Sequence, residues 1–273
     1  MSVFANVLVK NDEQLLTSVL PIWREYDVDK WVFHDAGSSD KTRDVITDVL
    51  GRKAEILEGT KRQSLQHRHQ EMLTHSREGG SDFVLVLTPE ELLARSLLDN
   101  FSAVLDMHTR YNIFCYWYHV SGDMKHIRQD PPLIEDYRSV LYNTKHAENF
   151  DISDNSCNHH RVPKVELPPV VTRDIGVISL ECLDKEYYAL KHLYLKHVEY
   201  KELKNAISDI NYRYDARVNG LQFEETQISE KITDGIDFDS SVFNTVASEK
   251  KFKEYILKNR VDELITFGEE YLS

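Results

Sequence analysis

One short run, residues 82–87 (DFVLVL), limits the folds open to this chain more than any other. After its leading aspartate it has no polar face to offer water. As a strand it has to be covered on both sides, which is the situation of a central strand in a parallel sheet. The preceding eighty residues supply partners for it. Residues 3–9 (VFANVLV) form a valine-rich strand, followed by Asn11 and Asp12 as a cap and by Leu15, Leu16, Val19, Leu20 and Trp23 at helical spacing. Trp31, Val32 and Phe33 make a second buried strand that ends in the polar turn 34–40 (HDAGSSD). Asp40 can cap the helix carrying Val45, Ile46, Val49 and Leu50; residues 54–57 give a brief third strand and 60–76 a polar helix.

Strands alternating with helices imply a parallel sheet with right-handed crossovers. Ligands of such sheets bind outside the carboxyl ends of the strands. Three of those ends are polar here: Lys10-Asn11-Asp12, Asp35-Ala36-Gly37 and Thr88-Pro89-Glu90. Beyond them the pattern predicts a helix over 90–107, a strand over 112–120 (NIFCYWYHV) and another over 136–142. A polar loop over 145–169, a short strand over 175–180, a long helix over 184–214 and an amphipathic stretch over 250–272 complete the chain. The expected division is an α/β domain over 1–183 and a helical extension over 184–273. No internal repeat or low-complexity linker is present.

Composition narrows the function classes. A chain of 273 residues with 41% hydrophobic and 29% charged residues is ordinary for a globular protein and long enough to bury a core without staples. Three scattered cysteines, Cys115, Cys157 and Cys182, with no CxxC pair suit a reducing compartment. The opening MSVFANVLVKNDE lacks the pattern of a signal peptide and no run is long enough to span a bilayer, so a cytoplasmic location is the expectation. The net charge of −13 disfavours general binding to nucleic acid, although a local basic groove could survive under it. Dinucleotide turns of the GxGxxG type, phosphate loops and nucleophile elbows are missing.

The segment 32–46 (VFHDAGSSDKTRDVI) resembles the signature of the family 2 glycosyltransferases, a strand followed by D-x-G-S-x-D-x-T and a helix. Asp35 occupies the acidic position, where the chemistry calls for an acceptor of hydrogen bonds from a base or ribose. Gly37 lets the backbone turn closely, and Ser38, Ser39 and Asp40 open the next helix. A plain strand-turn-helix with a capping aspartate has the same look. One strand-helix unit earlier, 7–16 (VLVKNDEQLL) resembles the family's first strand and its V-[KR]-N-E-x loop, with Asp12 where Glu is usual. Arg68 resembles the arginine of the family's R-N-x-A-L segment near the diphosphate, with His69 in place of Asn; a solvated arginine is the plain alternative.

The resemblance implies a GT-A fold, a nucleoside-diphosphate sugar as donor and a glycan or other hydroxyl-bearing acceptor, commonly with inversion. It also implies that Lys10, Asn11 and Asp35 hold the nucleoside and Arg68 the diphosphate. The family's central strand ends in L-x-D-x-D, which binds a divalent metal. In this chain Thr88 stands for the first Asp and Glu90 for the second. Glu90 is thus the candidate ligand for Mg²⁺ or Mn²⁺, and equally an ordinary first-turn acidic residue. The family's His-Glu loop and strand histidine are replaced by His160-Arg161 and Ser179. His160 is the first candidate for the general base, with Asp136 and Asp154 in reserve. Three rivals stand beside this reading: a non-catalytic nucleotide-binding or scaffold descendant, a metal-independent transferase, and a phage-type DNA-base glycosyltransferase.

Overall fold

The computed structural model describes residues 1–59, 63–122, 124–128, 136–151, 161–218, 225–236, 238, 242–243 and 247–272. It is a mixed α/β protein with a mainly parallel central sheet flanked by helices. The chain divides into two compact units. The first comprises Met1–Trp117, Tyr137–Ile178 and Asp234–Phe238, and the second comprises Tyr118–Asp136, Ser179–Thr233 and Asp239–Ser273.

In chain order, the first unit begins with β1 (Val3–Val9), α1 (Glu13–Trp23), β2 (Lys30–Asp35), α2 (Thr42–Leu50), β3 (Ala54–Glu58), α3 (Leu65–Glu78) and β4 (Phe83–Leu87). Next come β5 (Glu91–Leu93), α4 (Arg95–Asp99), α5 (Phe101–Met107) and the start of β6 (Asn112–Ser121). The central sheet has the order β3-β2-β1-β4-β9, where β9 spans Leu141–Asn143. β1 runs parallel to β2 and β4, with Val9 opposite Asp35 and Val7 opposite Leu87, while β9 runs antiparallel to β4. The ends of β1, β2, β3 and β4 therefore open on one edge, as the sequence pattern requires.

Side-chain alternation explains the two covered faces. Phe4 and Val32 pack on Met72 of α3, and Ser76 of α3 donates to Asn6 at 2.9 Å. On the other face Trp23 of α1 stacks on Trp31, centroids 5.2 Å apart and rings within 4° of parallel. All five side chains of β4 are buried, so the run that has no polar face also has no exposed one.

Up to β10, three elements depart from the sequence pattern. The helix expected over 90–107 is instead strand β5 followed by the short α4 and α5. Glu91 turns its carboxylate back to the Thr88 N–H (2.9 Å), and the Ala94 N–H donates to Gly176 of a neighbouring strand (3.0 Å), so the backbone is committed to a sheet. The strand expected over 136–142 is split into β8 (Tyr137–Arg138), paired with β6, and β9, paired with β4. The strand expected over 175–180 is the longer β10 (Pro169–Ser179), whose first half is largely exposed and whose second half is buried. Within the first unit β10 lies between β6 and β5.

In the second unit the end of β6 pairs with β7 (His126–Arg128), which in turn pairs with β11 (Glu225–Gln227). The helices there are α6 (Lys185–Val198), α7 (Ile207–Val218), α8 (Glu230–Thr233) and α9 (Ala247–Lys258). The single helix expected over 184–214 is broken. A π-helical turn (Glu199–Leu203) follows α6, and Lys204 at φ +60° ends it. Glu199, fully buried, receives Arg213, Tyr214 (2.8 Å) and Asn205 (3.2 Å), which folds α7 back onto the turn. Lys196 of α6 is also sealed: its Nζ donates to Asp215 and Thr266, each at 2.7 Å, and lies 4.9 Å from the Phe267 ring. No described helix is long and apolar enough to cross a membrane.

The β4 reading has a direct test. Leu85 is completely buried, and Leu85→Ala should cost about 2–5 kcal/mol. The urea midpoint should fall with the slope of the transition unchanged.

Candidate functional site

The site begins where β1 ends. Asn11 holds a left-handed backbone, φ +58°, a conformation that asparagine tolerates better than most residues and that clusters at functional sites. Its N–H donates to Ser38 Oγ at 2.8 Å, and its Oδ1 accepts from the Ser39 N–H at 2.8 Å and the Ser39 hydroxyl at 3.1 Å. The loops after β1 and β2 are thereby tied to each other. Asp12, expected as a helix cap, instead accepts from the Lys10 N–H at 2.7 Å, and its own N–H donates to Thr42 Oγ1 at 2.8 Å. Asp40 secures the start of α2 by accepting from the Thr42 N–H (3.1 Å) and hydroxyl (2.6 Å).

Asp35 sits fully buried at the end of β2. Its Oδ1 accepts from the Gly37 N–H (3.1 Å), the Ser38 N–H (2.8 Å) and the Ser38 hydroxyl (2.7 Å), and its Oδ2 is paired with Arg43. Burial by itself pushes this carboxyl up, but the Ser38 and Arg43 hydrogen bonds outweigh it and hold the group below the usual range. Gly37, at φ +89°, makes the turn that points these donors inward. The Asp35 carboxylate therefore shapes the loop from within. Arg43 reaches on to Glu58 at 2.7 Å.

The turn after β4 is held as firmly. Glu91 N–H donates to the Thr88 carbonyl (3.0 Å), and Glu91 Oε2 accepts from the Thr88 N–H (2.9 Å). Arg161 grips the same carboxylate with two contacts, Nη1 to Oε2 at 2.8 Å and Nη2 to Oε1 at 2.7 Å. The guanidinium lies 5.1 Å over the Trp117 ring, and the indole N–H of Trp23 donates to the Glu91 carbonyl at 3.0 Å. Glu90, between them, is buried with 7% of its surface exposed.

Arg68 lies in the first turn of α3, whose start is capped by Ser64 accepting from the His67 N–H. Next to it His69 is buried and packs on Phe150, centroids 5.5 Å apart. Burial pushes His69 down to about 3, and the nearby positive charges of Arg161, His34 and Arg68 press in the same direction. His34, at the heart of β2, shares a hydrogen bond of 2.8 Å with Glu71. Gly59 is required there, because a Cβ would stand 2.3 Å from the His34 ring.

The structure thus joins Lys10, Asn11 and Asp35 in one hydrogen-bonded pair of loops and sets Thr88 and Glu90 in a second turn on the same sheet edge. His160 and Asp154 lie outside the described residues. Asp136 belongs to the second unit, where it bonds His119 at 2.9 Å. Cys115 and Cys182 are buried free thiols. The sequence pattern did not single out Glu91 paired with Arg161, or Arg43. Arg161 alone left a signal, as an arginine where the resembled family carries an acidic residue.

These residues do not fit a divalent metal. Mg²⁺ and Mn²⁺ need several oxygen ligands. Among the described residues no three His, Cys, Asp or Glu side chains converge as a ligand set. Glu91 and Asp35 each already carry an arginine.

No family model matches the chain, and no curated protein does. Solved structures do. S. aureus TarS aligns with a TM-score of 0.47 and 12% identity over 94% of this chain and 49% of that one, so this chain spans about half its length. A 1–349 form of S. aureus TarS in complex with UDP gives 0.44 and 13%, over 77% and 69%. Glucosyl-3-phosphoglycerate synthase from Mycobacterium tuberculosis, in complex with Mn²⁺, UDP and glucosyl-3-phosphoglycerate, gives 0.32 and 15%, over 42% and 44%. With TM-scores no higher than 0.47 these are remote likenesses, and what the chain binds has to be read from its own residues.

Two outcomes follow from the site. Arg161→Ala should cost about 3–5 kcal/mol, because it strands a buried carboxylate. Adding Glu91→Gln should recover a good part of that in urea unfolding. Separately, His69 is kept neutral in the fold, so the unfolded chain binds more protons below its ordinary value near 6.5. Its contribution is fully present above that pH and is lost as pH falls toward 3. His69→Phe should flatten the dependence of unfolding free energy on pH across that window.

Proposed function

We propose that the chain is a GT-A-type transferase that takes a nucleoside-diphosphate sugar at the carboxyl edge of its central sheet and passes the sugar to a hydroxyl acceptor. The observation that carries this is the tie between two neighbouring strand ends, with Asn11 in a left-handed conformation bonded to Ser38 and Ser39 of the D-x-G-S-x-D loop. Parallel sheets take ligands at that edge. The same two loops carry the motifs that resemble the family 2 glycosyltransferases.

In this reading Lys10 and Asn11 contact the nucleoside directly, and Asp35 holds the loop that closes over it. Arg68 meets the diphosphate, and Thr88 and Glu90 border the sugar. The acceptor oxygen bonds to the anomeric carbon, the bond to the diphosphate oxygen breaks, and a base takes the hydroxyl proton. With inversion one base suffices, and His160 is the candidate. Pairing of both site carboxylates with arginines favours a second reading, a nucleotide-binding descendant without turnover.

A thermal-shift series with UDP, GDP, CDP and their sugars checks the proposal. At least one should raise the melting temperature. Asn11→Ala should lower that nucleotide's affinity by about tenfold, or about 1.4 kcal/mol. Binding followed by sugar release or transfer supports the enzyme. Binding with no turnover over a panel of donors and acceptors supports the second reading, and no shift with any nucleotide overturns both.

A further inference from the structure

Two of the acidic groups at this edge, Asp35 and Glu91, are already spoken for. Asp35 accepts from three donors of its own loop and from Arg43. Glu91 accepts from the Thr88 N–H and from Arg161 Nη1, with Arg161 Nη2 2.7 Å from its other oxygen. Both side chains are buried, with Asp35 at 0% and Glu91 at 6% exposure. A divalent cation could recruit either carboxylate only by evicting its guanidinium, and a buried ion left without its partner is costly.

The charge on the flank of the turn has the opposite sign. Arg68 adjoins His69 in the first turn of α3, and Arg161 stands on the Glu91 side of the turn. Arg161 is fixed on two sides, by Glu91 and by the Trp117 ring. Two of its five N–H donors face the carboxylate, so others are left for a further acceptor. α3 starts at the same edge, and its first backbone N–H groups add positive potential.

We infer that the nucleoside-diphosphate site proposed above binds its diphosphate without a divalent metal, the phosphate charge being met by Arg68 and Arg161. This rests on the donor reading of the site. It assigns Arg161 two tasks at once, neutralising Glu91 and presenting its outer N–H groups to a phosphate oxygen. Arginine suits this because its planar fork can serve a carboxylate and a phosphate together.

Calorimetric titration of the full chain with UDP, GDP and CDP, in EDTA and again in saturating Mn²⁺, tests the inference. The expected result is one nucleotide whose dissociation constant agrees within about threefold between the two conditions. Arg68→Ala should weaken it by about tenfold or more in EDTA, and Arg68→Lys by less. Both variants should unfold at the wild-type midpoint. Mn²⁺ followed by electron paramagnetic resonance should remain free on adding protein. Binding that appears only with Mn²⁺, or a stoichiometrically bound Mn²⁺ signal, overturns the inference and leaves the donor reading standing. Arg68→Ala with wild-type affinity in EDTA removes Arg68 from it. No binding of any nucleotide in either condition overturns the donor reading and this inference together.

Discussion

Burial on both faces leaves a strand little freedom in how it ends. β4 has no exposed side chain, so its backbone must leave the sheet without abandoning a polar group in the interior. It does so through the Thr88–Glu91 turn, closed once by the backbone and once by the Glu91 carboxylate. That carboxylate is itself buried and needs a counter-charge. Arg161 supplies it from seventy positions along the chain. Trp117 and Trp23 then fix the two partners from either side. The geometry of the candidate site follows from this sequence of obligations, each created by the one before.

The loop after β2 solves the same problem in the same way. Asp35 is drawn inside by three donors of its own loop and balanced by Arg43. The strand ends on either side of β1 thus carry two acids each paired with an arginine. Such a rim is preorganised, because its polar groups are aimed before anything arrives. The acidity of the chain as a whole, −13, says little about a rim where each described carboxylate of this pair is cancelled locally.

Much of this was legible in the sequence, for physical reasons. The alternation of buried strands and helices through β4 rests on local periodicity, and β1, α1, β2, α2, β3 and β4 all lie where the apolar spacing puts them. The tie between the Lys10-Asn11-Asp12 and Asp35–Asp40 loops was legible as two motifs one strand-helix unit apart. What escaped depends on distant partners. Glu90-Glu91 looks like the first turn of a helix until Ala94 bonds Gly176 and Arg161 claims the Glu91 side chain. The helix over 184–214 looks continuous, because nothing local announces that Arg213 and Tyr214 will fold back on Glu199. Asp12 has the chemistry of a cap and spends it on Lys10.

Lys196 carries a consequence of its own. Its amine is enclosed, with Asp215 and Thr266 holding it and the Phe267 ring against it. Burial lowers its proton affinity, and Asp215 only partly restores it. A side chain so enclosed is out of reach of any acylating reagent while the helices stay closed. Acylation at Lys196 therefore keeps time for the second unit, advancing only when α6 and α7 part.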